Sequence, residues 1–261
     1  MTQSLRVASF NIRTSRGRDG VNRWRRRRGV CISAIRNFSA NVVGLQEVRR
    51  NQLADLQRAF PGATIVGAGR DGKGRGEHAS ILVTNPEWVV ESSETRWLSP
   101  TPSIAGSVGW DANLTRVVTL ARLRHGPAVL GVANTHFDDK GPIARRESAR
   151  ILVDWLAHEP DLPWIVLGDL NAVPTSAPVK TFLAAGFRDP LMLDAGGTEH
   201  AFSGATNRTR IDYVLAGRGV DVAHAWISHE RPDGRLPSDH WPVLADLLIG
   251  PGAARVGRDP D

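Results

Sequence analysis

The chain has 261 residues, 41% hydrophobic and 23% charged. These are the values of a folded domain with one sizeable core, and they exclude a collagen-like, coiled-coil or disordered chain. No apolar run approaches the roughly 18 residues of a spanning helix, Met1–Phe10 lacks the pattern of a signal peptide, and the single Cys31 rules out an internal disulfide or a cysteine-based zinc cluster. A monomeric, cytoplasmic protein without membrane contact is therefore expected.

The net charge of +6 is unevenly placed. Residues 1–60 hold 13 arginines against 3 acids, an excess of ten positive charges, which leaves the remainder at −4. Arginine makes up 30 of the 33 basic residues. Its planar fork suits phosphate or carboxylate contacts, although biased codon usage accounts for such an excess equally well.

In chain order, β-type runs are predicted at Leu5–Phe10, Val42–Gln46, Ala79–Val83, Trp88–Arg96, Arg116–Arg122, Ala128–Thr135, Trp164–Gly168, Ile211–Leu215, Asp221–Ser228 and Trp241–Leu248. A helix from Asn22 to Phe38 turns Val30, Cys31, Ala34, Ile35 and Phe38 inward, and its other face is arginine. A second helix starts at Pro142 and buries Ile151, Leu152, Trp155 and Leu156. Glycine, proline, serine and aspartate cluster in loops at 67–76, 98–113, 194–209 and 229–238. The mixture of hairpins and crossovers predicts an α/β or α+β class, with one domain over residues 1–249 and a disordered tail, Gly250–Asp261.

Polar residues stand at the ends of several apolar runs, where a rigid strand can present them to a cleft. They are Ser9-Phe10-Asn11, Leu45-Gln46-Glu47-Val48, Thr135-His136, Gly168-Asp169-Leu170-Asn171 and Ser238-Asp239-His240. Carboxylates and amide oxygens are the hard donors that magnesium or manganese takes. Taken singly, each has an ordinary reading. Asn11 fits a strand-end turn, Glu47 a helix-start carboxylate, and an Asp-His pair a surface hydrogen bond.

Read in order, SFN, LQEV, GE, TH, GDLN, RIDYVL and SDHWPV resemble the endonuclease/exonuclease/phosphatase superfamily over most of the chain, from about Leu5 to Leu248. The resemblance implies a DNase I-like four-layer sandwich, with two mixed β-sheets packed face to face and helices outside. It also implies hydrolysis of phosphoesters with Mg2+ or Mn2+. On the matching motifs, Glu47 is the main metal ligand, with Asn11 and Asp239 completing or supporting its shell. Asp169 activates the attacking water, Asn171 contacts phosphate or metal, and His136 and His240 flank the scissile phosphate. Glu77 is expected to orient His136 and Asp212 to orient His240, each pair favouring imidazolium. Arg116 is a candidate phosphate contact.

The sequence departs from the apurinic-endonuclease branch, where a tyrosine replaces the Thr135-His136 histidine, and Ile12-Arg13 after Asn11 lacks that branch's extra acid. The leading reading is a phosphodiesterase or phosphatase. A nuclease that tracks a nucleic acid with Arg25–Arg28 is the alternative, and a non-catalytic phosphate-binding module comes third. Gly67-Ala68-Gly69-Arg70-Asp71-Gly72 fits the dinucleotide pattern GxGxxG, but Lys73-Gly74-Arg75-Gly76 continues the loop where a helix should open. His125, His158, His200, His224 and His229 match no motif and are read as surface or satisfied side chains, and His78, adjacent to Glu77, is expected to point to the other side of the strand.

Overall fold

The computed structural model describes residues 2–250; of the tail expected at Gly250–Asp261, all but Gly250 lies outside them. The first half of the chain builds β1 (Gln3–Asn11), α1 (Trp24–Asn37), β2 (Val42–Val48), α2 (Arg50–Ala59), β3 (Thr64–Val66) and β4 (His78–Val83). A run of meander and crossover follows, with β5 (Val89–Trp97), β6 (Val117–His125), β7 (Ala128–His136), α3 (Pro142–Leu156), β8 (Trp164–Asp169), α4 (Ala177–Ala184) and β9 (Asp212–Ala216). The hairpin β10 (Val220–Ile227) and β11 (Val243–Ile249) then returns to the first sheet.

Six strands pair in the order β10-β11-β1-β2-β4-β3, and five in the order β5-β6-β7-β8-β9. Leu5, Val7, Val42 and Ile81 of the first sheet meet Leu130, Val132, Ile165 and Leu167 of the second in one buried layer. On the outer faces, Cys31, Ala34 and Ile35 of α1 and Leu56 of α2 cover the first sheet. Leu152 and Leu156 of α3 and Phe182 of α4 cover the second. The result is the expected four-layer sandwich of two mixed sheets between helices.

Each sheet contains one parallel pair joined by a helical crossover, as parallel pairing requires. In β1–β2, Asn11 lies opposite Gln46, and in β7–β8, His136 lies opposite Asp169. Both pairs therefore deliver polar residues at their carboxyl ends, the edge of a sheet where ligands bind in α/β folds. Beneath that edge a polar staple joins the sheets. Asn134 Nδ2 donates to the carbonyls of Leu45 (3.0 Å) and Ser80 (2.8 Å), and Gln46 Nε2 donates to Asn134 Oδ1 at 2.7 Å. Gly44 is needed there, since a Cβ would sit 2.7 Å from Asn134 Oδ1 and 2.8 Å from the Leu167 Cβ.

Three elements escape the sequence pattern. α2 buries only Gln52 and Leu56, too few apolar positions to give a helical period. α4 has eight residues and β3 three, both below the length at which periodicity is read. The arginine run of α1 also differs from its expected solvated face. Arg25, Arg26 and Arg28 are exposed, but Arg27 is buried and donates to the carbonyls of Asn22 (2.8 Å), Pro237 (2.9 Å) and Arg13 (2.7 Å). Among the described residues, no helix is long and apolar enough to cross a membrane.

Candidate active site

The ends of β1, β2, β7, β8 and β9 and the segment before β11 converge on the Asp169 carboxylate, which is 1% exposed. Asn11 Nδ2 donates to Asp169 Oδ2 at 3.0 Å, and the Asn171 backbone N–H donates to Oδ1 at 2.9 Å. His136 Nε2 lies 3.5 Å and His240 Nδ1 3.9 Å from the same Oδ2. His240 Nδ1 is held at 2.8 Å by Asp212 Oδ2, which leaves Nε2 for a substrate oxygen. Asp212 is itself fixed from behind, because the N–H groups of Ile211 and Asp212 both donate to Thr198 Oγ1, while Thr198 O accepts the N–H of Trp241.

Backbone strain concentrates at this rim. Glu47 (φ +63°), Asn171 (φ +46°) and Arg13 (φ +54°) occupy the left-handed region that L-residues avoid. Such conformations cost about 1–3 kcal/mol each and persist where the surrounding structure over-determines them. Glu47 also sits in an irregularity between β2 and β4, where the register shifts between Leu45 and Val48. A bulge re-aims a side chain out of the alternating pattern. The Glu47 carboxylate is then held by Asn11 Nδ2 (3.1 Å) and by the N–H of Thr14 (2.6 Å).

The two histidines carry opposite charge states. Burial opposes a proton on His240, but the charge and hydrogen bond of Asp212, with Asp169 and Asp239 beyond, outweigh it, so the ring is held as imidazolium. At His136, burial acts together with Arg116, Arg70 and His240, and all four favour the neutral ring. Asn171 Nδ2 stands 3.1 Å from His136 Nε2, which makes that nitrogen an acceptor. The expected imidazolium at His136 is therefore corrected to neutral imidazole. Asp169 is pushed up to about 7 by burial and by the neighbouring Asp212, against the pull of His240, Asn11 and the Asn171 N–H.

Glu77 does not orient His136. Its carboxylate is taken by Arg70 Nη1 at 2.7 Å and Arg49 Nη2 at 3.2 Å, and the groups bonded or closest to His136 Nε2 are Asn171 and Asp169. Arg116 is 4% exposed and bridges to Asp138 (3.5 Å) and Asp139 (3.1 Å), but its Nη1 is buried with no partner among the described residues. Arg116, Arg70, Glu77, Glu47 and His136 line one cavity of about 10 Å³, room for roughly one water.

Sequence reasoning gave no role at this site to Arg70, Arg49, Arg13, Arg27 and Thr198, which lie outside the seven ordered motifs. Arg27 joins three segments, one following Asn11 and one preceding Asp239. His200 is also not a surface group. It is fully buried, packs against Trp241 with ring centroids 4.4 Å apart and the planes tilted by 37°, leaves Nε2 without a partner among the described residues, and is lowered to about 4 by burial and by the charges of His240 and Arg231. His78 is buried, with Nδ1 2.9 Å from the Val48 carbonyl.

Two donor sets invite a cation. Asp169, Asp212 and His240 offer atoms within 4.8 Å of one another, but His240 Nδ1 is already occupied by its proton and Asp212. Glu47 and Asp239 are carboxylates of the hard type that divalent cations take in ones and twos, with water completing the shell. Asp239 Oδ2 lies 3.5 Å from Arg13 Nε, which also feels the Glu47 charge, so this guanidinium balances both carboxylates. Asn11 directs Nδ2 at Glu47 and Asp169 and gives Oδ1 to the N–H of Arg13 (2.9 Å). It braces the shell in this arrangement through Nδ2, while its Oδ1 keeps a second lone pair.

A DNase I-like sandwich with its chemistry at the carboxyl ends of both parallel pairs defines the class, that of the phosphoester hydrolases built on this fold. The chain belongs to the Endonuclease/Exonuclease/phosphatase family, whose sequence profile matches residues 8–240. Among solved structures, an endonuclease/exonuclease/phosphatase from Bacteroides vulgatus is 30% identical with a TM-score of 0.85, over 95% of this chain and 100% of that one. A mannosyl-6-phosphatase from Bacteroides thetaiotaomicron is 29% identical with a TM-score of 0.87, over 94% of this chain and 100% of that one. TDP2 from D. rerio, complexed with single strand DNA product, shares the fold at 20% identity and a TM-score of 0.73, over 94% of this chain and 99% of that one. No curated protein matches the chain by sequence.

Proposed function

We propose that this chain is a divalent-metal-dependent phosphoester hydrolase in which water attacks phosphorus in line and no covalent enzyme intermediate forms. The observation that carries the reading is the pairing of a base with an unclaimed anion receptor. Asp169, raised to about 7, lies 3.5 Å from His136, and His136 shares its cavity with the partnerless Nη1 of buried Arg116. A general base works best when its pKa lies near the operating pH.

In this reading the Asp169 carboxylate takes the proton of the attacking water. The His240 imidazolium donates through Nε2 to a non-bridging oxygen, and Arg116 Nη1 donates to another, so charge developing on phosphorus meets fixed donors in a water-poor site. His136 remains neutral, and Asn11 Nδ2 and the Asn171 backbone N–H hold Asp169 in place. Glu47, with Asp239 beside it, would hold Mg2+ or Mn2+, which supplies Lewis-acid polarisation of the phosphoryl oxygen and stabilises the leaving group.

The similarity to a mannosyl-6-phosphatase at 29% identity supports a monoester substrate. A nuclease that tracks a strand with Arg25–Arg28 is less well supported, because Arg27 is buried and committed to three carbonyls. The test is turnover of a chromogenic phosphomonoester and its diester analogue, beside plasmid DNA, in Mg2+, Mn2+ and EDTA, with Asp169→Asn as the blank. Metal-dependent turnover that Asp169→Asn abolishes is expected. Near-normal turnover by folded Asp169→Asn would refute the assignment.

A further inference from the structure

The glycine-rich loop that matched GxGxxG folds back on itself. The Arg70 N–H donates to Glu77 O at 2.9 Å, the Asp71 N–H to Arg75 O at 3.1 Å and the Arg75 N–H to Gly72 O at 3.0 Å. Gly69 and Gly76 permit the closure, since a Cβ on Gly69 would lie 2.1 Å from Arg75 O and one on Gly76 would lie 2.7 Å from Asp71 Cγ. The loop faces the start of α2 across a cavity of about 500 Å³, within the range of small-molecule sites.

That cavity is lined by Arg16, Arg49, Arg50 and Arg75 with a single carboxylate, Asp71. Among the described residues, Arg16, Arg50 and Arg75 have no ion-pair partner. Arg49 is held by Thr14 Oγ1 (3.2 Å) and Glu77 (3.2 Å), and Asp71 lies 3.9 Å from Arg70. Side chains from three separate segments thus bring like charge to one concavity, which favours an anion there. The wall it shares with the reaction centre is the Arg49–Glu77–Arg70 group, whose Arg70 and Glu77 also line the small cavity beside His136.

We propose that this arginine-lined cavity is a subsite for a second phosphate group of the substrate, beside the one that is hydrolysed. The inference rests on the phosphoester-hydrolase reading and narrows it to substrates that carry at least two phosphates. These are either a small bisphosphorylated molecule or the next phosphate of a nucleotide strand, and the shared chemistry is the same. Guanidinium forks pair bidentately with phosphate oxygens, and the exposed side chains of Arg16, Arg50 and Arg75 are free to close on such a group.

The test is calorimetric binding to the full chain in EDTA, where no metal-dependent turnover intervenes. Adenosine 5′-monophosphate, adenosine 3′,5′-bisphosphate and 5′-phosphorylated dithymidylate are compared on the wild type and on Arg50→Gln/Arg75→Gln. Wild-type protein is expected to bind the bisphosphate about tenfold more tightly than the monophosphate, the gain from one charge-assisted contact. The double variant should lose that gain while keeping its melting temperature, since both side chains are exposed. A gain for the bisphosphate alone assigns a small-molecule substrate, and a gain for the dinucleotide as well assigns a strand. Equal affinity for one and two phosphates in the wild type, or a gain that survives the double substitution, overturns the proposal. Absence of metal-dependent turnover of the chromogenic ester by the wild type would instead strike the hydrolase reading, so the two failures are separable.

Discussion

Asp212→Asn tests the electrostatics of the site at its most buried contact. Asp212 is fully buried, and its Oδ2 accepts from His240 Nδ1 at 2.8 Å. The substitution keeps the shape and removes the charge that holds His240 as imidazolium. Breaking a buried ion pair costs about 3–5 kcal/mol when the remaining charge stays. If about 3 kcal/mol of that is lost in the transition state, where the His240 cation faces the developing phosphoryl charge, kcat falls roughly 150-fold. The fold can release the rest by leaving His240 neutral, its Nδ1–H still bonded to the oxygen of the introduced amide. Both limbs of the pH profile should then move to lower pH. The alkaline limb moves because His240 loses its proton more readily, and the acid limb because the Asp212 charge that raises Asp169 outweighs the His240 charge that lowers it, so losing both leaves Asp169 lower. The assay is kcat against pH on the chromogenic ester with saturating Mn2+, with a thermal melt as the control for folding. A folded variant within threefold of wild type, or one with an unmoved pH profile, would refute the reasoning.

Glu47→Gln should abolish metal stimulation, lowering kcat at least about a hundredfold, and calorimetric titration with Mn2+ should lose its binding isotherm; tight Mn2+ binding by the variant would move the metal site elsewhere. Arg27→Met takes the donor from the buried carbonyl of Pro237 and from the part-buried carbonyls of Asn22 and Arg13, a cost of up to about 1–3 kcal/mol each and least for the part-buried pair. Urea unfolding should register a loss of about 3–5 kcal/mol, and a loss below about 1 kcal/mol would show that the three carbonyls find other donors. His200 has a folded-state pKa lowered to about 4 against an ordinary 6.5. Between these values the unfolded chain binds the extra proton, so stability from this residue is intact above pH 6.5 and is lost as pH falls towards 4. In His200→Gln that part of the acid slope should flatten, and a slope identical to wild type over this range would contradict the assignment.

Strands such as Leu5–Phe10 and Trp164–Gly168 are legible in the sequence because both faces of a central strand are buried, and the resulting apolar runs end abruptly in polar residues. The same abrupt ends mark Asn11, Glu47, His136, Asp169 and His240. Asp212 also meets His240 as their motifs imply, at 2.8 Å. Helix α2, with two buried residues in ten, leaves no period to read.

The sequence by itself determined the strand-rich sandwich and which polar side chains stand at strand ends, because burial periodicity and local motifs are properties of neighbouring residues. Only the tertiary structure decided what those side chains touch. The motifs pair Glu77 with His136, yet Arg70 and Arg49, one from a glycine-rich loop and one from the cap of α2, hold it instead. Arg27, one of four consecutive arginines, is buried because residues far along the chain, Pro237 among them, present carbonyls to it. The opposite charge states of His136 and His240 likewise follow from the arginines beside one and the carboxylates beside the other, a difference created by packing between segments that no local pattern records.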